Sequence, residues 1–258
     1  MGLFSAKTKD AAKASTQKDV RFAVGRVGYA IGDIHGRADL LGRMLERIEG
    51  DFRAVDGAAP IIIFLGDYVD RGDQSREVLE LLSQDSGTGF ERRFLKGNHE
   101  AAMLQFLEDP IGGRAWLNHG GLETLASYDV YPLPSQGASG DELLRAGERL
   151  RAQMPKTHLQ FLDNLERYIV FGDYCFVHAG IDPARKLEAQ TDSDLFWIRR
   201  RFIEDVRPLA ITVVHGHTPE DGPYRDQRRI GLDTGAYFSG VLSGARFEGE
   251  KVSFIQVR

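Results

Sequence analysis

The chain has 258 residues, 42% of them hydrophobic and 28% charged, enough to bury a substantial core without covalent staples. With 33 Lys and Arg against 38 Asp and Glu, the formal net charge of −5 excludes a broad basic surface for nucleic acid or an anionic membrane. One cysteine against seven histidines excludes an internal disulfide framework and a thiolate zinc site, and fits a reducing, cytoplasmic setting.

Residues 1–18, with Lys7, Lys9, Lys13 and Lys18 among small residues, read as a flexible tail. They contain no apolar signal core, and the longest apolar run, Ile61 to Leu65, is too short to cross a bilayer. Residues 19–258 read as one domain. Val27–Ile31 is a buried strand, followed at helical spacing by Leu40, Leu41, Met44, Leu45 and Ile48. Pro60–Leu65 is a second strand, Val78 to Leu82 a second helix, and Phe94-Leu95 a third, weaker strand. Strand and helix alternating in this way predict a βαβαβ unit with a largely parallel sheet, hence an α/β class. Residues 100–165 are helical in pattern, with a loop over residues 131–140, and are expected to form an insertion or cap. Strands return at residues 168–171, 174–177 and 211–214, and residues 229–257 predict antiparallel hairpins.

Each core strand ends in a short polar segment: Gly32-Asp33-Ile34-His35-Gly36, Gly66-Asp67-Tyr68-Val69-Asp70-Arg71-Gly72, Gly97-Asn98-His99-Glu100, Val177-His178-Ala179-Gly180 and Val214-His215-Gly216-His217-Thr218. Residues just past the carboxyl ends of such strands converge on one crevice. Any one segment could be a capped turn, and a lone buried histidine is usually a satisfied core residue. Together they would bury like charges at heavy cost unless a cation sits among them.

This set resembles the PPP family of metallophosphoesterases, with Asp67 34 positions after Asp33 and Asn98 31 positions after Asp67. It is most similar to the short bacterial and phage serine/threonine protein phosphatases, through Trp197-Ile198-Arg199 and Leu232-Asp233-Thr234-Gly235-Ala236. The resemblance implies a calcineurin-like β-sandwich flanked by helices, with a helical insertion. It implies two divalent metal ions, manganese first with iron or zinc as alternatives. Asp33, His35 and Asp67 would hold the first, and Asp67, Asn98, His178 and His217 the second, Asp67 bridging. Oxygen and imidazole donors without thiolate suit these metals. Two such ions about 4 Å apart activate a hydroxide for direct attack on phosphorus. His99 would be the general acid and Asp70 its orienting partner, with Arg71 and Arg199 gripping the phosphate.

His215 is expected beside the metals rather than on them. His119 and His158 are expected to pack or lie at the surface, and Cys175 to be a small core residue. The primary expectation is a phosphoprotein phosphatase acting on phosphoserine and phosphothreonine side chains, with phosphotyrosine left open as a further substrate. The alternative is a symmetrical dinucleoside polyphosphate (diadenosine tetraphosphate) hydrolase, and the third is a non-catalytic binding module of the same fold. A nuclease or cyclic-nucleotide diesterase is disfavoured, because Thr218-Pro219 offers no further histidine after Gly216-His217. Substrate choice is expected in the walls of the site, formed by residues 100–165 and the loops near Tyr224 and Tyr237. No nucleic-acid or membrane partner is expected.

Overall fold

A computed structural model describes residues 20–52, 59–84, 87, 89–135 and 137–258; the expected tail at 1–18 lies outside them. Strands β1 (Arg26–Ile31), β2 (Ala59–Phe64) and β3 (Glu91–Phe94) pair in parallel, with α1 (Ala38–Phe52) and α2 (Ser75–Ser83) as the crossovers. The next helices are α3 (Asn98–Glu108), α4 (Gly121–Ser127), α5 (Gly140–Gln153) and α6 (Lys156–Asp163), with a 3-10 turn at Arg114–His119. Then come β4 (Tyr168–Phe171), β5 (Tyr174–Val177), α7 (Asp192–Trp197), α8 (Arg200–Ile203) and β6 (Thr212–His215). The chain closes with β7 (Tyr224–Arg225), β8 (Arg229–Gly231), α9 (Ala236–Ser239), β9 (Leu242–Glu248) and β10 (Lys251–Val257).

The βαβαβ unit expected from strand–helix alternation is present as β1 to β3, and it is built into one of two mixed sheets, ordered β10-β9-β1-β2-β3 and β4-β5-β6-β8-β7. The reason lies at the C-terminus. β9 returns antiparallel to β1 and closes that edge, while β5, β6 and β8 form a second parallel core. Helices cover both outer faces, so the sandwich implied by the family resemblance is present.

Alternation along β2 explains the layering. Ile61, Ile63 and Leu65 point inward and meet Ile169, Phe176, Val214 and Ile230 of the other sheet. Ile62 and Phe64 point outward against Leu40, Leu41, Met44, Val78 and Leu79. On the far side Val177 and Val213 pack on Leu195, Phe196 and Phe202. A strand buried on both faces is apolar at every position, which is why Ile61 to Leu65 is an unbroken run. Each such side chain contributes roughly 1.5–3 kcal/mol on burial. Cys175 sits in this core as expected, and burial pushes its thiol up to about 12.

Among the described residues, no helix is long and apolar enough to cross a membrane.

Candidate active site

The parallel strands of the two sheets deliver their carboxyl ends to one cleft of about 110 Å³. It is lined by Asp33, His35, Asp67, His99 and His217 with Arg71, Arg199, Asp233 and Tyr237. Five of the residues that form it adopt a left-handed backbone: His35, Asp67, Asp70, Arg71 and His217 have φ between 45° and 73°. Non-glycine residues resist that conformation, and it persists where surrounding contacts over-determine it. The adjacent glycines serve close approach. A Cβ at Gly97 would overlap Asp67 Oδ1, and one at Gly216 would overlap Asp33 Oδ1.

Asp67 is the centre. His35 Nε2 lies 3.5 Å from its Oδ2, His178 Nε2 3.4 Å from its Oδ1, and His99 Nε2 3.9 Å from Oδ2. Two groups of side chains offer ligand atoms within 4.8 Å of one another: His35, Asp67 and His99, and Asp67, His178 and His217. Asp67 belongs to both. Asn98 is adjacent, its Oδ1 2.9 Å from His178 Nε2. Asp33 lines the same cleft, both of its oxygens accepting from the His217 amide at 3.0–3.1 Å.

Three further observations fit these residues to divalent cations. His35 and His178 each donate Nδ1–H to a backbone carbonyl, Val69 at 2.9 Å and Leu65 at 2.8 Å, which turns Nε2 towards Asp67. His217 Nε2 is buried without a hydrogen-bond partner. Burial, with the positive potential of His178, pushes His217 down to about 2, and burial takes His35 down to about 3, so both present neutral imidazoles. Burial pushes the Asp33 carboxyl well above the usual range, and the charges of Asp233 and Asp67 push it further. For Asp67, burial is outweighed by His178, His99 and His35, which hold it well below that range. A cluster of acids and neutral imidazoles under such mutual strain is the donor set for cations.

His99 is held differently. Its Nδ1 lies 2.6 Å from Asp70 Oδ2, leaving Nε2 towards the cleft. Burial opposes its protonation, as does Arg71, whose NH2 is 3.3 Å from Nε2. The Asp67 charge and the Asp70 hydrogen bond outweigh both, and His99 is raised above the ordinary histidine range. Arg71 also donates to the Tyr237 hydroxyl at 2.6 Å, and Arg199 donates to the His217 carbonyl at 2.9 Å.

The structure thus brings every expected site residue to one place, and His215 beside it. His215 is the last residue of β6, with Nε2 3.3 Å from Arg229 NH1, and stands in neither ligand group. Asn98 and His99 are the first two residues of helix α3. Two expectations about the walls are corrected. Among the described residues, none of 100–165 lines the cleft, and Tyr224 does not line it either, its ring lying 3.9 Å beneath the Arg229 guanidinium. The helical segment acts from behind: Trp116 Nε1 and Thr124 Oγ1 donate to Asp70 at 2.8 and 2.6 Å. His119 is exposed, whereas its neighbour Gly120 packs on the Arg71 backbone. His158 is buried, as a packing residue should be.

Two residues had no role in the sequence reading. Glu100 accepts from the amides of Asp67, Tyr68, Val69 and Gly97 at 2.7–3.3 Å, clamping the Asp67 turn to the start of α3. A glutamate at the third position of a helix is a capping signal that could have found it. Asp233 lines the cleft near Asp33, and its position after an apolar strand was the available signal.

Residues 29–238 match the family described as calcineurin-like phosphoesterase. The chain belongs to that family. It is 28% identical over 247 residues to bis(5′-nucleosyl)-tetraphosphatase PrpE (asymmetrical) of Bacillus velezensis, covering 86% of this chain and 90% of that protein. The protein of that name from Halalkalibacterium halodurans is 25% identical over 254 residues, covering 88% and 92%. A solved structure provisionally described as a diadenosine tetraphosphatase has the same fold, with a TM-score of 0.60 at 20% identity over 91% of this chain and 95% of that one. Members of this family use divalent metals to hydrolyse phosphoester bonds, and the chain is a hydrolase of that kind.

Proposed function

We propose that the chain hydrolyses a phosphoanhydride bond of a dinucleoside tetraphosphate, releasing a nucleoside triphosphate and a nucleoside monophosphate. The observation that carries this reading is the pair of side-chain groups sharing Asp67, one of them including His99, in one small cleft with two arginines. The activity for which the bacterial relatives are named supports the nucleotide, and their asymmetrical cut replaces the symmetrical one expected from the sequence.

Asp33, His35 and Asp67 would hold one divalent cation, and Asp67, Asn98, His178 and His217 would hold the other. The cations, when bound, acidify water and offset phosphate charge. Arg71 and Arg199 hold the phosphate oxygens through forked, charge-assisted hydrogen bonds. Water's oxygen joins phosphorus and sheds one proton to solvent as the bridging P–O bond breaks, while His99 gives its Nε2 proton to the departing phosphate oxygen and is reprotonated from solvent before the next turnover. Asp70 keeps that imidazole oriented and charged.

A second reading, a phosphoprotein side chain, is favoured by Trp197, half exposed beside Arg199 in the segment shared with bacterial protein phosphatases. Chromatography of products from the metal-loaded enzyme separates the two. ATP and AMP from diadenosine tetraphosphate support the proposal. Two ADP molecules would make the cut symmetrical, and turnover of phosphopeptides alone would favour the second reading.

A further inference from the structure

At the mouth of the cleft, α9 carries two neighbouring aromatic rings, Tyr237 and Phe238, with different freedom. Tyr237 is engaged on several sides. Its hydroxyl accepts from Arg71, the Arg71 guanidinium lies 4.8 Å above its ring, and its ring meets His35 edge-on at 5.4 Å. Phe238 is 64% exposed although it lines the same cleft as His99 and Arg199. Its ring meets Tyr237 edge-on, with centroids 4.9 Å apart and planes at 84°.

The backbone holds Phe238 in this place. Gly235 takes a left-handed conformation with φ 63°, and the Phe238 ring lies where a Cβ of residue 235 would be. The Phe238 amide donates to the Gly235 carbonyl at 2.9 Å. One side of the ring is therefore supported by chain, and much of the remainder faces solvent. An exposed phenylalanine forfeits the burial that usually places it, so a ring supported in this way beside a phosphate-binding cleft is suited to a planar apolar ligand group.

We propose that Phe238 is the stacking platform for a nucleobase of the substrate, with Tyr237 as the wall that fixes Arg71 against the phosphates. This rests on the nucleotide reading above and adds the element that selects a nucleoside phosphate over other phosphate esters. Stacking on an aromatic face tolerates any base, so the platform selects a nucleotide without selecting its base. Because Phe238 lies outside the ligand groups around Asp67, its contribution falls on binding.

The test is steady-state kinetics of the Mn²⁺-loaded enzyme with diadenosine tetraphosphate for the wild type, Phe238→Ala and Phe238→Trp, with AMP and inorganic phosphate as competing inhibitors. Phe238→Ala is expected to raise KM about fivefold or more, and the inhibition constant of AMP by a similar factor relative to that of phosphate. Phe238→Trp is expected to keep both near the wild-type values, which separates loss of the ring from loss of fold. Hydrolysis with KM and the AMP-to-phosphate ratio unchanged in Phe238→Ala would overturn the platform and leave the nucleotide reading standing. Failure of the wild type to cleave diadenosine tetraphosphate would overturn the nucleotide reading itself, and the platform with it.

Discussion

The His99 Nδ1 atom and Asp70 Oδ2 are 2.6 Å apart, and Asp70 is completely buried beneath that contact. Its carboxylate also accepts from Trp116 and Thr124, while the Asp70 amide donates to Ser75 and Thr124 oxygens at 3.0 Å. A carboxylate fixed from so many directions can hold a histidine in one orientation and one tautomer.

The proposed acid role of His99 predicts a leaving-group effect. His99→Asn is expected to lower kcat by about 10²–10⁴-fold for a poor leaving group and much less for an activated aryl phosphate. Asp70→Asn should move in the same direction by a smaller factor. A plot of log kcat against leaving-group pKa checks both. Equal loss across leaving groups would assign His99 to binding instead.

Metal dependence follows from the unpartnered His217 nitrogen and the two groups that share Asp67. Chelator-treated protein is expected to lose hydrolysis and to regain it with Mn²⁺. His217→Ala should need more metal for half-maximal restoration than the wild type. Full activity in metal-free protein is the result that sinks the two-metal reading.

Glu100 predicts a loss of both stability and metal affinity. Burial pushes this carboxyl up to about 7, yet it is the acceptor for four amides around Asp67. Glu100→Ala leaves those donors without a partner, at about 2 kcal/mol or more. Glu100→Gln keeps one carbonyl oxygen and should be milder. Thermal unfolding together with metal content measures this, and wild-type values for Glu100→Ala would refute the clamp.

The buried His158 carries a pH prediction. Glu80 lies 2.9 Å from Nε2 and can only accept there, so Nδ1 accepts from the Tyr128 hydroxyl at 2.7 Å. Burial holds His158 below its ordinary range in the folded state. Unfolded, it takes a proton near pH 6.5, so its contribution is fully present above that pH and declines as pH falls towards the folded value. Urea unfolding should find His158→Gln destabilised by about 1 kcal/mol at pH 8, with the difference shrinking by pH 5. A difference independent of pH would contradict this assignment.

The amino-acid sequence by itself determined which candidate donors stand at strand ends. Asp33, Asp67 and His178 each follow an apolar strand, Asn98 follows the Phe94-Leu95 end of a charged one, and glycines that permit close approach sit beside them. These are local properties, because strand, turn and ligand lie within a few residues. The division into two sheets was less legible from alternation alone, since β9 pairs with β1 across more than two hundred residues. Only the tertiary structure decided what stands behind Asp70, which residues surround Asp67 and which line the cleft. Asp67 meets His178 across 111 positions, Asp70 meets Thr124 across 54, and Arg71 meets Tyr237 across 166. The helices of 100–163 stand behind the site rather than around it because their apolar faces join the core outside β2. That packing leaves α9, with Phe238 uncovered, at the mouth. Residue types and spacing specify what each segment carries, but convergence depends on sheet pairing and helix packing between segments distant in the chain.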